Sequence, residues 1–311
     1  MPIKNKLIPL VLLFTTTLSC NFYQIQENRL KKTFKKHGLS QHVYTADKTR
    51  ISYWEGGEGR PLVMLHGFGA SAIFQWEKQI AAFIKDRRLI IPDLVYFGES
   101  SSSRSNYSVD FQASTIIRLL DSLQVDSFDL IGLSYGGLTA ATIADKIPGR
   151  VTSLIISDSP IKFYTHENNL RAVKKFKARD IKSLLIPEKP KDVPRLLKLA
   201  YHKPPGIPGF ALKNIHEKMF YNQPREKGQL LDYMLHNEKH LRDKEYRIKN
   251  KILLIWGRYD FLIPPRIGES LHSYFKRNSR LVIIEKAAHM PNMERPKKFN
   301  EIVLNFLKTK N

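Results

Sequence analysis

From residue 41 onward the chain alternates short apolar runs with longer amphipathic ones. HVYTA (42–46) and RISYWEG (50–56) alternate apolar and polar positions. The turn residues Asp47 and Lys48 separate them, which predicts a β-hairpin. Six nearly continuous apolar runs follow: PLVMLHG (61–67), RLIIPD (88–93), FDLIGL (128–133), VTSLIISD (151–158), KILLIWG (251–257) and RLVIIEK (280–286). Such runs lack the polar alternation of a half-exposed strand and predict strands buried on both faces. Between most of them lie helical patterns: SAIFQWEKQIAAFI, DFQASTIIRLLDSL, GGLTAATIADKI, IGESLHSYF and the C-terminal KKFNEIVLNFLKT. This alternation predicts an α/β fold, a mostly parallel sheet with helices on both faces joined by right-handed crossovers.

One interval breaks the rhythm. Residues 160–250 carry no comparable strand, only helical pieces broken by Pro187, Pro190, Pro194, Pro204, Pro205 and Pro208. They predict a helical insertion into a core made of residues 41–159 and 251–311. Residues 171–250 hold 20 basic against 9 acidic residues, a net +11.

The N-terminus follows a different pattern. A basic start (Lys4, Lys6) leads into an apolar stretch from Leu7 to Leu18 that contains Pro9. Such a stretch is short for a bilayer span, has no polar face, and predicts an export signal over residues 1–19. Its end, Leu18-Ser19-Cys20, resembles the lipobox of bacterial lipoproteins, in which the cysteine is lipidated. Thr17 stands where that pattern has an aliphatic residue. The resemblance implies an exported protein held in the cell envelope through Cys20. A periplasmic or secreted protein, or an uncleaved anchor, is the alternative. Residues 20–40 then read as a basic tether whose Lys31, Lys32, Lys35 and Lys36 either face anionic head groups or are simply solvated.

The chain has 311 residues, enough to bury a large core, and an ordinary globular composition. Its charge is not ordinary: 51 Lys and Arg against 29 Asp and Glu, a net +22. That favours anionic partners such as a membrane surface, or reflects a solvated lysine-rich surface. No zinc-finger spacing, RNP-like aromatic motif or basic heptad pattern is present, so nucleic acid is not an expected partner. A single cysteine excludes intramolecular disulfides and multi-cysteine metal sites. No cofactor or metal site is expected.

The chemistry lies at the strand ends. Ser134, in LIGLSYGG (130–137), follows an apolar strand and precedes a small-residue helix. A reactive serine on so sharp a turn needs glycine at 132 and 136, where side chains would collide. A serine at its own pKa is a weak nucleophile and needs a base with an acid behind it. His289 and Asp260 each follow the end of an apolar strand, where α/β sheets place their sites. Asp158, also at a strand end, is the second choice for the acid. Developing negative charge on a substrate needs two backbone donors. The amides of Tyr135 and of Phe68, in His66-Gly67-Phe68-Gly69, are the candidates. His66 lies too near its strand to serve as the base and reads as structural.

In the order HGFG, PDLVYFGES, GLSYGG, WGRYD and AHMPNMERP, these segments resemble the α/β-hydrolase superfamily from about residue 42 to 310. Tyr96 departs from the pattern, which commonly has glycine there. The resemblance implies a Ser134–His289–Asp260 triad, an acyl-enzyme and no cofactor. Dehalogenases and epoxide hydrolases of this superfamily have aspartate in place of Ser134. The insertion corresponds to the superfamily's cap, and its Tyr201 and Pro204-Pro205-Gly206-Ile207-Pro208 run is similar to caps of bacterial lipases and monoacylglycerol-lipase-like enzymes. A lipase or esterase is implied. A carbon–carbon bond hydrolase or perhydrolase with the same triad, or a silent binding protein on this scaffold, is the alternative.

Overall fold

The computed structural model describes the backbone of residues 8–309 and the side chains of residues 22–309. Among the described residues nine strands form one sheet: β1 Ser40–Ala46, β2 Thr49–Gly56, β3 Arg60–Leu65, β4 Arg87–Pro92, β5 Ser101–Ser102, β6 Phe128–Leu133, β7 Val151–Ser157, β8 Lys251–Gly257 and β9 Ser279–Ile284. Their order is β1-β2-β4-β3-β6-β7-β8-β9, with the short β5 beside β2. The hairpin β1–β2 is antiparallel and turns through Asp47 and Lys48, both at positive φ (48° and 61°) as a tight hairpin turn requires. From β4 through β9 every pairing is parallel.

The continuous apolar runs have a two-sided explanation. Val63, Leu65 and Leu130 face one layer, with α3 (Val109–Ser122), α4 (Tyr135–Lys146) and α11 (Pro265–Phe275). Leu62, Met64 and Ile131 face the other, with α1 (Ile8–Lys36), α2 (Ala72–Phe83) and α13 (Pro296–Lys308). Alternate side chains thus serve opposite cores, so neither face of a central strand tolerates polarity.

Between β7 and β8 the described residues hold no strand. They form α5 (His166–Lys175), α6 (Ile181–Leu185), α7 (Val193–Ala200), α8 (Leu212–Ile215), a π-turn at His216–Phe220, α9 (Pro224–His236) and α10 (Glu238–Asp243). A last short helix, α12 (Pro291–Glu294), precedes α13.

Residues 22–36 are not a free tether. They form the end of α1, where Leu30 and Phe34, one helical turn apart, are fully buried. Phe34 meets Trp54 edge-on at 5.2 Å, and Arg29 bonds Glu77 on α2 at 2.6 Å. The apolar pair is hidden among lysines, of which Lys31 bonds Glu99 at 2.9 Å while Lys32, Lys35 and Lys36 stay exposed. Residues 1–7 and the Cys20 side chain lie outside the described residues. Among the described residues no helix is long and apolar enough to cross a membrane.

Candidate active site

The parallel register brings five strand ends to one edge. Leu65 pairs Gly132, Leu133 pairs Ser157, Ser157 pairs Ile255, and Gly257 pairs Ile284. The loops that follow carry His66–Gly69, Ser134, Asp158, Asp260 and His289.

Ser134 has φ 54° and ψ −120°, a conformation that costs a non-glycine residue strain. The surroundings hold it there. Its amide donates to Ser157 O at 2.8 Å, and its carbonyl accepts from Ser159 Oγ at 2.7 Å. A Cβ on Gly132 would overlap the Gly136 carbonyl oxygen, and one on Gly136 would overlap the His66 carbonyl oxygen. Only glycine permits so close an approach of strand, turn and helix.

His289 Nδ1 lies 2.7 Å from Asp260 Oδ2. The other carboxylate oxygen, Oδ1, accepts the amides of Leu262 and Ile263, both at 2.9 Å. Three polar contacts therefore fix the Asp260 carboxylate in place. The two loops are locked together: Tyr259 N donates to Ala287 O at 2.9 Å, and a Cβ on Gly257 would overlap the Ala288 carbonyl oxygen. Ser134, Asp260 and His289 are 7%, 3% and 6% exposed, so polar interactions among them act in a largely dry setting.

Ser134, Phe68, Tyr135 and His289 line one pocket. Tyr135 opens α4, and the first amides of a helix have no partner within it. Gly67 packs close enough that a Cβ on it would stand 3.3 Å from Ser134 Cβ, which brings the Phe68 loop against the serine. The rest of the wall is mostly apolar and comes largely from the insertion, with Ile181, Leu185, Leu199, Phe220, Leu231 and Met234 among its members. Its cations are already paired: Arg242 bonds Glu238 at 2.9 Å, and Lys162 bonds Glu245 at 3.1 Å.

His66 is structural, as its hydrogen bonds indicate. Its Nε2 accepts the Leu94 amide at 2.9 Å, and its Nδ1 bonds the Gly67 carbonyl at 2.8 Å. Complete burial pushes its pKa down to about 4, so the ring is neutral. Asp93 anchors the same region by accepting the amides of Ala72 (2.7 Å) and Glu99 (2.9 Å). Burial pushes its pKa up to about 6 despite those donors. Tyr96, at φ 72°, donates its hydroxyl to the Arg104 carbonyl.

Two supports escape a reading of the sequence alone. Asn292 donates to Gln75 O at 2.7 Å, and Gln79 donates to Asn292 O at 2.9 Å, which ties the His289 loop to α2. Glu294 accepts the Ala288 amide at 2.7 Å and the Lys203 amide at 3.0 Å, joining that loop to the insertion. Asn292 and Glu294 both stand in AHMPNMERP, but nothing in the motif says what they touch.

The sheet, its strand-end turns and the inserted helices define an alpha/beta hydrolase fold. The family model of that description matches residues 60–296, and the chain belongs to that family. Among particular relatives, the chain is 27% identical to the 2-hydroxy-6-oxo-2,4-heptadienoate hydrolase of Pseudomonas putida, over 81% of this chain and 90% of that one. It is also 27% identical to the human monoacylglycerol lipase ABHD6, over 80% of this chain and 77% of that one. Among solved structures, a putative lipase from Acinetobacter baumannii AYE superposes with a TM-score of 0.80 at 26% identity, covering 90% of this chain and 95% of that one. The relatives are hydrolases of more than one bond type.

Proposed function

We propose that the protein is a serine hydrolase that cleaves carboxylic esters with apolar acyl groups. The observation that carries this reading is the 2.7 Å His289–Asp260 bond, with His289 and a strained Ser134 lining the same apolar pocket. In the proposed reaction His289 Nε2 takes the Ser134 hydroxyl proton as the oxygen attacks the ester carbonyl. Asp260 holds the ring through Nδ1–H and stabilises the imidazolium. The Phe68 and Tyr135 amides bind the oxyanion. Collapse breaks the ester C–O bond, His289 returns the proton to the leaving alkoxide, and an acyl-Ser134 remains. Water, deprotonated by His289, then releases the acid and restores the serine.

The apolar wall favours a medium- or long-chain acyl ester, and the similarity to a monoacylglycerol lipase supports that class. Ser134→Ala is expected to lower hydrolysis of a p-nitrophenyl acyl ester by on the order of 10⁵-fold with the fold intact. Undiminished activity would refute the reading.

A carbon–carbon bond hydrolase with the same three residues is the second reading, favoured by the similarity to the dienoate hydrolase. The paired state of Arg242 and Lys162 weighs against an anionic dienoate in this pocket. Rates on esters and on a 2-hydroxy-6-oxo-dienoate, measured side by side, decide between them.

We further propose export and attachment to a membrane surface through lipidated Cys20, with the +11 charge of residues 171–250 favouring anionic head groups. Metabolic labelling with a fatty acid is expected to mark the wild type and not Cys20→Ser. An unlabelled wild type refutes this.

A further inference from the structure

Asp158 is an ionisable group beside the proposed triad that the proposed reaction does not use. It follows β7 at φ 46°, in the left-handed region, and is fully buried. Its Oδ1 accepts the Gly257 amide at 2.9 Å, and Ser157 Oγ donates to its Oδ2 at 2.6 Å. Ligand atoms of Asp158, Asp260 and His289 all lie within 4.8 Å of one another. Two carboxyl groups thus share one dry site. Asp260 already meets His289 Nδ1 and two backbone amides, which leaves Asp158 as the member of the pair placed to hold a proton.

Two carboxylates this close do not both ionise at neutral pH. We infer that Asp158 is a neutral carboxylic acid whose proton is donated to the Asp260 carboxylate, making it a positioning residue that acts through Asp260 on His289. This rests on the ester-hydrolase reading only in its kinetic consequence. Burial and the neighbouring Asp260 charge hold Asp158 well above the usual carboxylate range, in keeping with that assignment. The groups that face the pair are His289 from the loop after β9, Gly257 N–H from the end of β8 and Ser157 from β7. Tyr164, from the segment after β7, also feels the Asp260 charge.

The function of such a donor follows from electrostatics. A hydrogen bond donated to Asp260 withdraws negative charge from the oxygen facing His289. The imidazole is then less basic than it would be beside an unassisted carboxylate, and it is free to accept the serine proton at lower pH. The Gly257 bond also fixes the turn that delivers Asp260.

The tests use the full chain. The first is infrared difference spectroscopy at pH 7 between the wild type and Asp158→Asn. It is expected to show the C=O stretch of a carboxylic acid in the wild type only. Its absence from the wild type overturns the inference, and activity plays no part in the readout. The second is the rate at which a fluorophosphonate labels Ser134, followed against pH. Asp158→Asn, which keeps both an acceptor for Gly257 and a donor for Asp260, is expected to hold the wild-type midpoint of the acid limb. Asp158→Leu, which keeps neither, is expected to raise that midpoint by about one pH unit. A role in packing alone would lower the rate at every pH and leave the midpoint in place. Coincident midpoints for all three proteins, or an equal shift in Asn and Leu, overturn the inference. A wild type that the probe does not label refutes the hydrolase reading instead, and leaves the infrared result standing.

Discussion

In the core, each side chain proposed to act in catalysis is placed by backbone. Ser134 is held by amide and carbonyl bonds at a strand end, Asp260 by two amides, and the loop of His289 by paired carbonyls. In the insertion, residues 160–250, short helices set mainly apolar side chains around the same pocket. The core offers few conformations and fixes the chemistry. The insertion offers a wall whose shape depends on which side chains fill it. Chemistry and selectivity are therefore separable, and substitutions in the two regions should fail in different ways.

The sharpest break of that contrast is Asp260→Asn. It is expected to lower kcat by on the order of 10⁴-fold on every ester alike, because His289 loses the partner that sets its tautomer and stabilises its charge. A loss confined to long-chain esters would mean that the core contributes selectivity too. Next comes Gly257→Ala, whose new Cβ overlaps the Ala288 carbonyl oxygen and pushes the Asp260 and His289 loops apart. Activity should fall by on the order of 100-fold, and chemical denaturation should register a loss of about 3 kcal/mol.

In the insertion, Met234→Trp narrows the pocket. The ratio of long- to short-chain p-nitrophenyl ester rates should fall by about 10-fold, with short-chain turnover retained. An unchanged ratio would remove the insertion from acyl recognition.

The smallest effect on turnover is expected at Lys227. Its ammonium is buried over the Phe97 ring at 5.7 Å, and burial pushes its pKa down to about 8. The folded state thus disfavours the proton that the unfolded chain still binds. Stability should rise as pH climbs from about 8 toward the ordinary lysine range, by about 3 kcal/mol in all. Lys227→Met should flatten that slope in thermal melts recorded across the interval.

The same contrast governs what the sequence makes legible. Strands buried on both faces leave long apolar runs, so the parallel sheet can be read residue by residue. Ser101–Ser102, a two-residue strand with no apolar side chain, leaves no such trace. Glycines at 132 and 136 announce the turn at Ser134 because nothing larger fits there. Strand ends nominate both Asp158 and Asp260, but only the folded geometry says which one meets His289 and that the two share a site. The burial of Leu30 and Phe34 was obscured by the lysines around them. The pocket wall was illegible for a different reason: the insertion's short, proline-broken helices bury their faces only against one another and the core.

The most direct test of the central claim is to mix the protein with a p-nitrophenyl acyl ester, quench within the first turnover, and measure the intact and digested masses. A mass increase of one acyl group is expected, mapped to Ser134 and absent from Ser134→Ala. Hydrolysis that proceeds at the wild-type rate in Ser134→Ala, or an acyl group found on another residue, would contradict it.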